Sequence, residues 1–128
     1  MKRQIHTTGT KWEDSIGYCR AIRIGNLVEV SGTVAADNGQ LVGKDDPYKQ
    51  AQFILQKIEK ALKSLGADMG DVVRTRMYVK DIKHWEKIGK AHSEYFKDVK
   101  PATTMVEVSA MINPGFLVEI EATAIVKQ

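Results

Sequence analysis

The sequence predicts an α+β fold in which one mixed sheet carries two helices on a single face. Two observations predict it: runs of short alternating segments at both ends of the chain, and two amphipathic helical periodicities between them. The expected order is β-β-β-α-β-α-β-β, which suits one sheet covered on one side.

The elements follow in chain order. Tyr18 to Ile24 reads as a strand, Gly25-Asn26 as a turn suited to positive φ, and Leu27 to Thr33 as the returning strand. Asp37-Asn38-Gly39-Gln40 makes a second turn before a short strand at Leu41-Val42. A helix then starts with Asp46 as N-cap and Pro47 in the first position. Ala51, Ile54, Leu55, Ile58, Leu62 and Leu65 share its apolar face, and Gly66 stops it. Val72 to Lys80 reads as a strand with Val73, Thr75, Met77 and Val79 on one side and Arg74, Arg76, Tyr78 and Lys80 on the other. A second helix is expected over Ile82 to Lys97, with Trp85, Ile88, His92, Tyr95 and Phe96 facing inward. Strands at Thr103 to Ser109 and Leu117 to Val126, parted by Asn113-Pro114-Gly115, complete the order. On the last strand Val118, Ile120, Ala122, Ala124 and Val126 form an apolar row; the opposite row, Leu117, Glu119, Glu121, Thr123 and Ile125, is half apolar, as a self-association surface would be.

With 128 residues and no linker, repeat or low-complexity tract, residues 1–128 read as one domain. The 19 Lys and Arg against 16 Asp and Glu give a net charge of +3, and the two signs are interleaved, as in Lys57-Ile58-Glu59-Lys60. That pattern argues against a nucleic-acid partner. One cysteine, Cys19, and scattered His6, His84 and His92 offer no disulfide and no metal spacing. Neither an apolar leader nor a membrane-length run occurs, so the expectation is a cytoplasmic, metal-free protein without a membrane anchor.

Four segments together resemble the Rid/YjgF family of reactive intermediate deaminases. These are Tyr18-Cys19-Arg20-Ala21-Ile22-Arg23-Ile24-Gly25-Asn26 leading to Val30-Ser31-Gly32; Ala67 to Thr75 with Val79-Lys80-Asp81; Lys100-Pro101-Ala102-Thr103-Thr104-Met105-Val106-Glu107-Val108; and Val118-Glu119-Ile120-Glu121-Ala122. The resemblance covers roughly residues 16 to 126. It implies a chorismate-mutase-like homotrimer with a central barrel and helices outside, and clefts between subunits that hold small carboxylated metabolites. Deaminating members hydrolyse imines or enamines to 2-oxo acids and ammonia without a cofactor. In them an arginine follows Pro-Ala and pairs with the substrate carboxylate. Here Thr103 follows Pro101-Ala102, Met105 replaces a common cysteine and Gly89 an expected asparagine, so the chain resembles an arginine-lacking branch. A threonine hydroxyl does not replace a bidentate, charge-assisted guanidinium.

Candidate site residues follow. Glu119 reads either as the general base for an attacking water or as a cross-strand partner of Arg74 or Arg76; Glu121 shares both readings. Tyr18 reads as a hydrogen-bond donor to a ligand or as an interface residue. Arg20, taken to share a strand face with Tyr18, is the first candidate for a replacement guanidinium, and Arg76 is the second. Ser31 and Gly32 read as a strand end before a turn or, by the resemblance, as ligand-facing; Thr103 and Thr104 are further substrate-binding candidates, though as β-branched strand residues they need no function. His92 reads as a core or interface histidine beside the binding candidates, and Cys19 as buried or, beside Arg20, reactive. The leading expectation is a cofactor-independent imine or enamine deaminase; a non-catalytic metabolite sensor comes second. An endoribonuclease or translation inhibitor, as some relatives have been described, comes last.

Overall fold

The computed structural model describes residues 1–127. A six-stranded sheet runs in the order β1-β2-β3-β8-β6-β7, formed by β1 (Arg3–His6), β2 (Ala21–Ile24), β3 (Leu27–Thr33), β6 (Val72–Val79), β7 (Ala102–Glu107) and β8 (Val118–Ile125). Its pairs are antiparallel except β6 and β7, which are parallel and joined by a helical crossover. Helices α2 (Pro47–Ser64) and α3 (Trp85–Phe96) pack together and close one core with the sheet. The mixed α+β architecture is therefore as expected.

α2 forms where its sequence marks it. The Asp46 carboxylate accepts from the Lys49 N–H at 3.0 Å, and Pro47 occupies the first turn. At the other end Gly66 adopts φ +81°, while Ala67 N–H donates to Leu62 O at 2.9 Å and Gly66 N–H to Lys63 O at 3.2 Å, a complete Schellman motif. Arg23 on β2 caps the Leu65 carbonyl at 2.7 Å, tying this helix end to the sheet. Between the caps Ile54, Leu55, Ile58 and Leu62 are fully buried against Val28, Ile120 and Ala124. Gln50, also fully buried, donates from Nε2 to Gly43 O at 3.1 Å and Gly115 O at 3.0 Å, and its Oε1 accepts from Leu117 N–H at 2.8 Å. One side chain thus joins the loop before α2 to the segment entering β8.

The structure corrects several expectations. Strand β1 and a short helix α1 (Lys11–Ile16) precede the predicted first strand, which begins at Ala21 rather than Tyr18. Tyr18 is instead anchored behind α1, its N–H donating to Glu13 O at 3.0 Å. The predicted strand at Leu41-Val42 is only a two-residue bridge, β5 (Gln40–Leu41) against β4 (Ala36–Asp37), outside the main sheet. The second helix starts at Trp85, because Ile82–His84 forms a 3₁₀ turn capped by Asp81. Trp85 is consequently 57% exposed rather than inward-facing. Strand β6 has a register shift between Val72 and Arg74, which turns Val72 inward and leaves Val73 42% exposed; Thr75, Met77 and Val79 face the core as predicted.

On the sheet face away from the helices, Ile24, Leu27 and Ile125 lie side by side in register and exposed, with Ile5 nearby on β1. No helix among the described residues is long and apolar enough to cross a membrane.

Candidate functional site

Alternation along β8 puts Val118, Ile120, Ala122 and Ala124 into the core and turns Glu119, Glu121 and Thr123 outward. Register with β6 sets Tyr78 opposite Glu119 and Arg76 opposite Glu121. The two carboxylates then part ways. Tyr78 donates its hydroxyl to Glu121 Oε1 at 2.6 Å, and Arg76 Nη1 lies 3.6 Å from Glu121 Oε2. That hydrogen bond holds the Tyr78 phenol above its ordinary range. Glu121 thus forms the predicted cross-strand ion pair. Glu119 has neither a hydrogen bond nor an ion pair among the described residues. It is half-buried, and burial pushes its carboxyl upward; the Arg20 charge opposes this and the Glu121 charge adds to it.

The neighbour of Glu119 is a bare backbone. β3 changes register between Val30 and Thr33, and Gly32 sits in that irregularity. A Cβ built at Gly32 would fall on Glu119 Oε2, so this position takes glycine for close approach. Behind the same peptide lies Arg20, which donates from Nη1 to Gly32 O at 2.9 Å and to Thr33 Oγ1 at 3.3 Å. Its Nε is 3.7 Å from Glu13 Oε2, and its guanidinium lies 5.5 Å from the Tyr18 ring. Only 8% exposed, Arg20 is paired inside the protein and does not line the cleft.

Glu13, 4% exposed, was not foreseen as a site residue. Burial raises its carboxyl, but Thr8 N–H at 3.1 Å, Thr8 Oγ at 2.6 Å, Thr10 Oγ at 3.1 Å and Arg20 outweigh this and hold it below its usual value. It therefore stays charged opposite Arg20. Its signal was present: Thr10-Lys11-Trp12-Glu13 has the Thr-x-x-Glu spacing of a helix start, and Thr10 does cap α1.

A cleft of about 360 Å³ opens over the two carboxylates. It is lined by Gly32, Tyr78, Glu119 and Glu121 of the sheet and by Val108, Ala110 and Met111 from the segment between β7 and β8. Tyr18 and Cys19 border a different cavity, of about 370 Å³, between β1 and α1. Ser31 faces that side too, its hydroxyl donating to Cys19 O at 2.7 Å.

Thr103 and His92 form a separate group across the sheet. His92 Nε2 meets Thr75 Oγ at 2.9 Å, Thr75 Oγ meets Thr103 Oγ at 2.7 Å, and the Phe96 ring lies 4.6 Å from the imidazole. Thr104 faces the opposite side, accepting from Arg74 Nη2 at 2.6 Å. The chain therefore brings Glu119, Gly32 and Arg20 together and joins Arg76 to them through Glu121. It does not bring Thr103, Thr104 or His92 into that cleft.

Burial lowers the His92 pKa below its ordinary 6.5. The unfolded chain then binds more protons than the folded one once pH drops below about 6.5, so stability falls as pH falls through the folded value. The urea midpoint should decline between pH 7 and pH 5 more steeply for the wild type than for His92→Gln; equal slopes would contradict this assignment.

Fold and cleft together define a small α+β protein with a carboxylate pocket on the uncovered face of its sheet. The profile of the family described as Endoribonuclease L-PSP matches residues 9–126. An uncharacterized protein of Streptomyces coelicolor is 34% identical over 117 residues, covering 91% of this chain and 87% of its own. A RutC family protein of Pyrococcus abyssi is 37% identical over 109 residues, covering 84% of each chain. The crystal structure of a YjgF/YER057c/UK114 family member from Mycobacterium tuberculosis superposes with a TM-score of 0.90 at 46% identity, covering 98% of this chain and 100% of that one. The chain belongs to this family, the Rid/YjgF family.

Proposed function

We propose that this protein is a cofactor-independent hydrolase of reactive imines and enamines, working as a homotrimer. The observation that carries the reading is the contrast between the two carboxylates: Glu121 is committed to Tyr78 and Arg76, whereas Glu119, in the same cleft, has no hydrogen bond or ion pair among the described residues. A half-buried carboxylate whose pKa burial pushes upward is a better base than an exposed one and is suited to take and return a proton. Glu119 accepts a proton from water as the oxygen bonds to the carbon of the protonated imine and the C=N π pair moves to nitrogen, leaving a neutral amine. The same carboxyl then returns the proton to nitrogen, and the C–N bond breaks. Loss of the hydroxyl proton gives the carbonyl compound, a 2-oxo acid where the substrate bears an α-carboxylate, and ammonia.

The exposed apolar row Ile24, Leu27 and Ile125 supports burial against further copies of the chain, and light scattering tests the trimer. A stable monomer would remove the shared clefts. There, Tyr18, Ser31, Thr103 and Thr104 act in this reading across subunit boundaries rather than within one chain. The hydrolytic reading is tested by generating an imine in situ with an amino-acid oxidase and following its decay with and without the protein. Acceleration supports it; none across several imines favours the sensor reading. The endoribonuclease named in the family description has less support here, because His92 is held against Thr75 and the Phe96 ring.

Gly32→Ala gives a sharper check. Its Cβ would push the Glu119 carboxylate, the end of a flexible side chain, out of position while leaving the backbone intact. The expected result is a loss of turnover on the order of 10²-fold with an unchanged unfolding midpoint.

A further inference from the structure

The irregularity in β3 is held from behind. Between Val30 and Thr33 the strand shifts register against β8, and the residues in the shift bond to the Cys19–Arg20 segment. Ser31 N–H donates to Arg20 O at 2.9 Å, and the Ser31 hydroxyl donates to Cys19 O at 2.7 Å. Arg20 Nη1 donates to Gly32 O at 2.9 Å, so it fixes the residue whose missing Cβ makes room for the Glu119 carboxylate. Arg20 is itself held. Its Nε lies 3.7 Å from Glu13 Oε2, and hydrogen bonds from Thr8 and Thr10 fix that carboxylate. With Glu13 4% and Arg20 8% exposed, α1 reaches Glu119 through a buried succession of Glu13, Arg20 and Gly32.

We infer that Arg20, oriented by Glu13, is the positioning residue for Glu119. This rests on Glu119 being the base of the hydrolytic reading and adds how that base is held and tuned. The guanidinium does two things. Its fork fixes Gly32, against which the Glu119 carboxylate lies, and its charge favours the ionised form of that carboxylate. The charged and titratable groups around Glu119 are Glu121 beside it on β8, Tyr78 and Arg76 on β6, and Arg20 with Glu13 behind β3. Lys57 on α2 feels the charges of that last pair. Among these groups Arg20 lowers the Glu119 pKa and Glu121 raises it. Burial makes Glu119 a stronger base, and Arg20 limits the rise so that the carboxylate stays ionised to lower pH. Removing the Arg20 charge has the same sign of effect whatever a neighbouring subunit adds, because that addition is common to both proteins.

The test is an NMR titration of the Glu119 side-chain carboxyl carbon, assigned with Glu119→Gln, in wild type, Arg20→Gln and Arg20→Lys. Values of kcat and KM for an imine made in situ are measured beside it. Arg20→Gln should raise the Glu119 midpoint, move the acid limb of kcat/KM the same way, and lower kcat at least about 10-fold with KM little changed. Arg20→Lys keeps the charge and loses the fork, so it should hold the wild-type midpoint and recover kcat only in part. Where Arg20→Gln does not fold, because it strands the buried Glu13 charge, Glu13→Gln/Arg20→Gln removes both charges and carries the same prediction. A Glu119 midpoint unchanged or lowered without Arg20 overturns the inference. So does a raised KM at unchanged kcat, which would make Arg20 a substrate ligand. If the wild type accelerates no imine, the hydrolytic reading fails, and the NMR midpoints by themselves decide whether Arg20 tunes Glu119.

Discussion

Glu119→Gln is expected to lower imine turnover by about 10²–10⁴-fold, the range for losing a positioned general base. The substitution keeps the shape of the side chain and removes only its proton affinity. It should not destabilise the fold, because no hydrogen bond or ion pair among the described residues depends on the Glu119 carboxylate, and the cost of burying that charge disappears. Glu121→Gln provides the contrast. It weakens the bond from Tyr78 and the pairing with Arg76, so it should disturb the cleft wall and reduce turnover less than Glu119→Gln. The raised Glu119 pKa also places the acid limb of kcat/KM above the ordinary carboxylate value of 4.5, with activity falling as pH drops through it. That limb should vanish in Glu119→Gln.

The second large effect is on stability. Gln50→Leu removes a fully buried amide in the first turn of α2 that satisfies two carbonyls and one N–H. Leucine fills similar space but leaves Gly43 O, Gly115 O and Leu117 N–H without this partner. At about 1 kcal/mol for each part-buried group left unsatisfied, the low end of the usual penalty, a destabilisation of about 3 kcal/mol is expected. Urea unfolding should show the midpoint falling with the slope unchanged. Turnover should suffer as well, because Gly115 and Leu117 end the segment that carries Ala110 and Met111 over Glu119.

What could be read from sequence divides along local and non-local lines. α2 was legible because Asp46, Pro47 and Gly66 are local signals that the chain obeys independently of its neighbours. The turn of Val73 out of the core was not, because the β6 irregularity exists only in register with β8. α1 was missed because Trp12 and Ile16 are largely exposed, leaving little apolar periodicity beyond the Thr10–Glu13 cap. Its absence from the reading put Tyr18 and Arg20 on one strand and suggested a guanidinium free to meet a ligand. The structure shows instead that Arg20 is occupied by Glu13 and Gly32.

The site shows the same division. Alternation placed Glu119 and Glu121 on one face but could not distinguish them. The distinction comes from Tyr78 and Arg76, which reach Glu121 across the sheet. The apolar part of the cleft lining arises from a segment whose own sequence, Val108 to Phe116, carries no regular period. Gly32 resembled a family motif, and only the side chain beside it explains why the position must be bare.

The most direct test is ammonia release from imines generated in situ, measured with wild-type protein, with Glu119→Gln and with no protein. Acceleration by the wild type alone, with Glu119→Gln close to the protein-free rate, is the predicted result. Equal rates for wild type and Glu119→Gln, accelerated or not, would contradict the assignment of Glu119 as the base of a hydrolytic cleft.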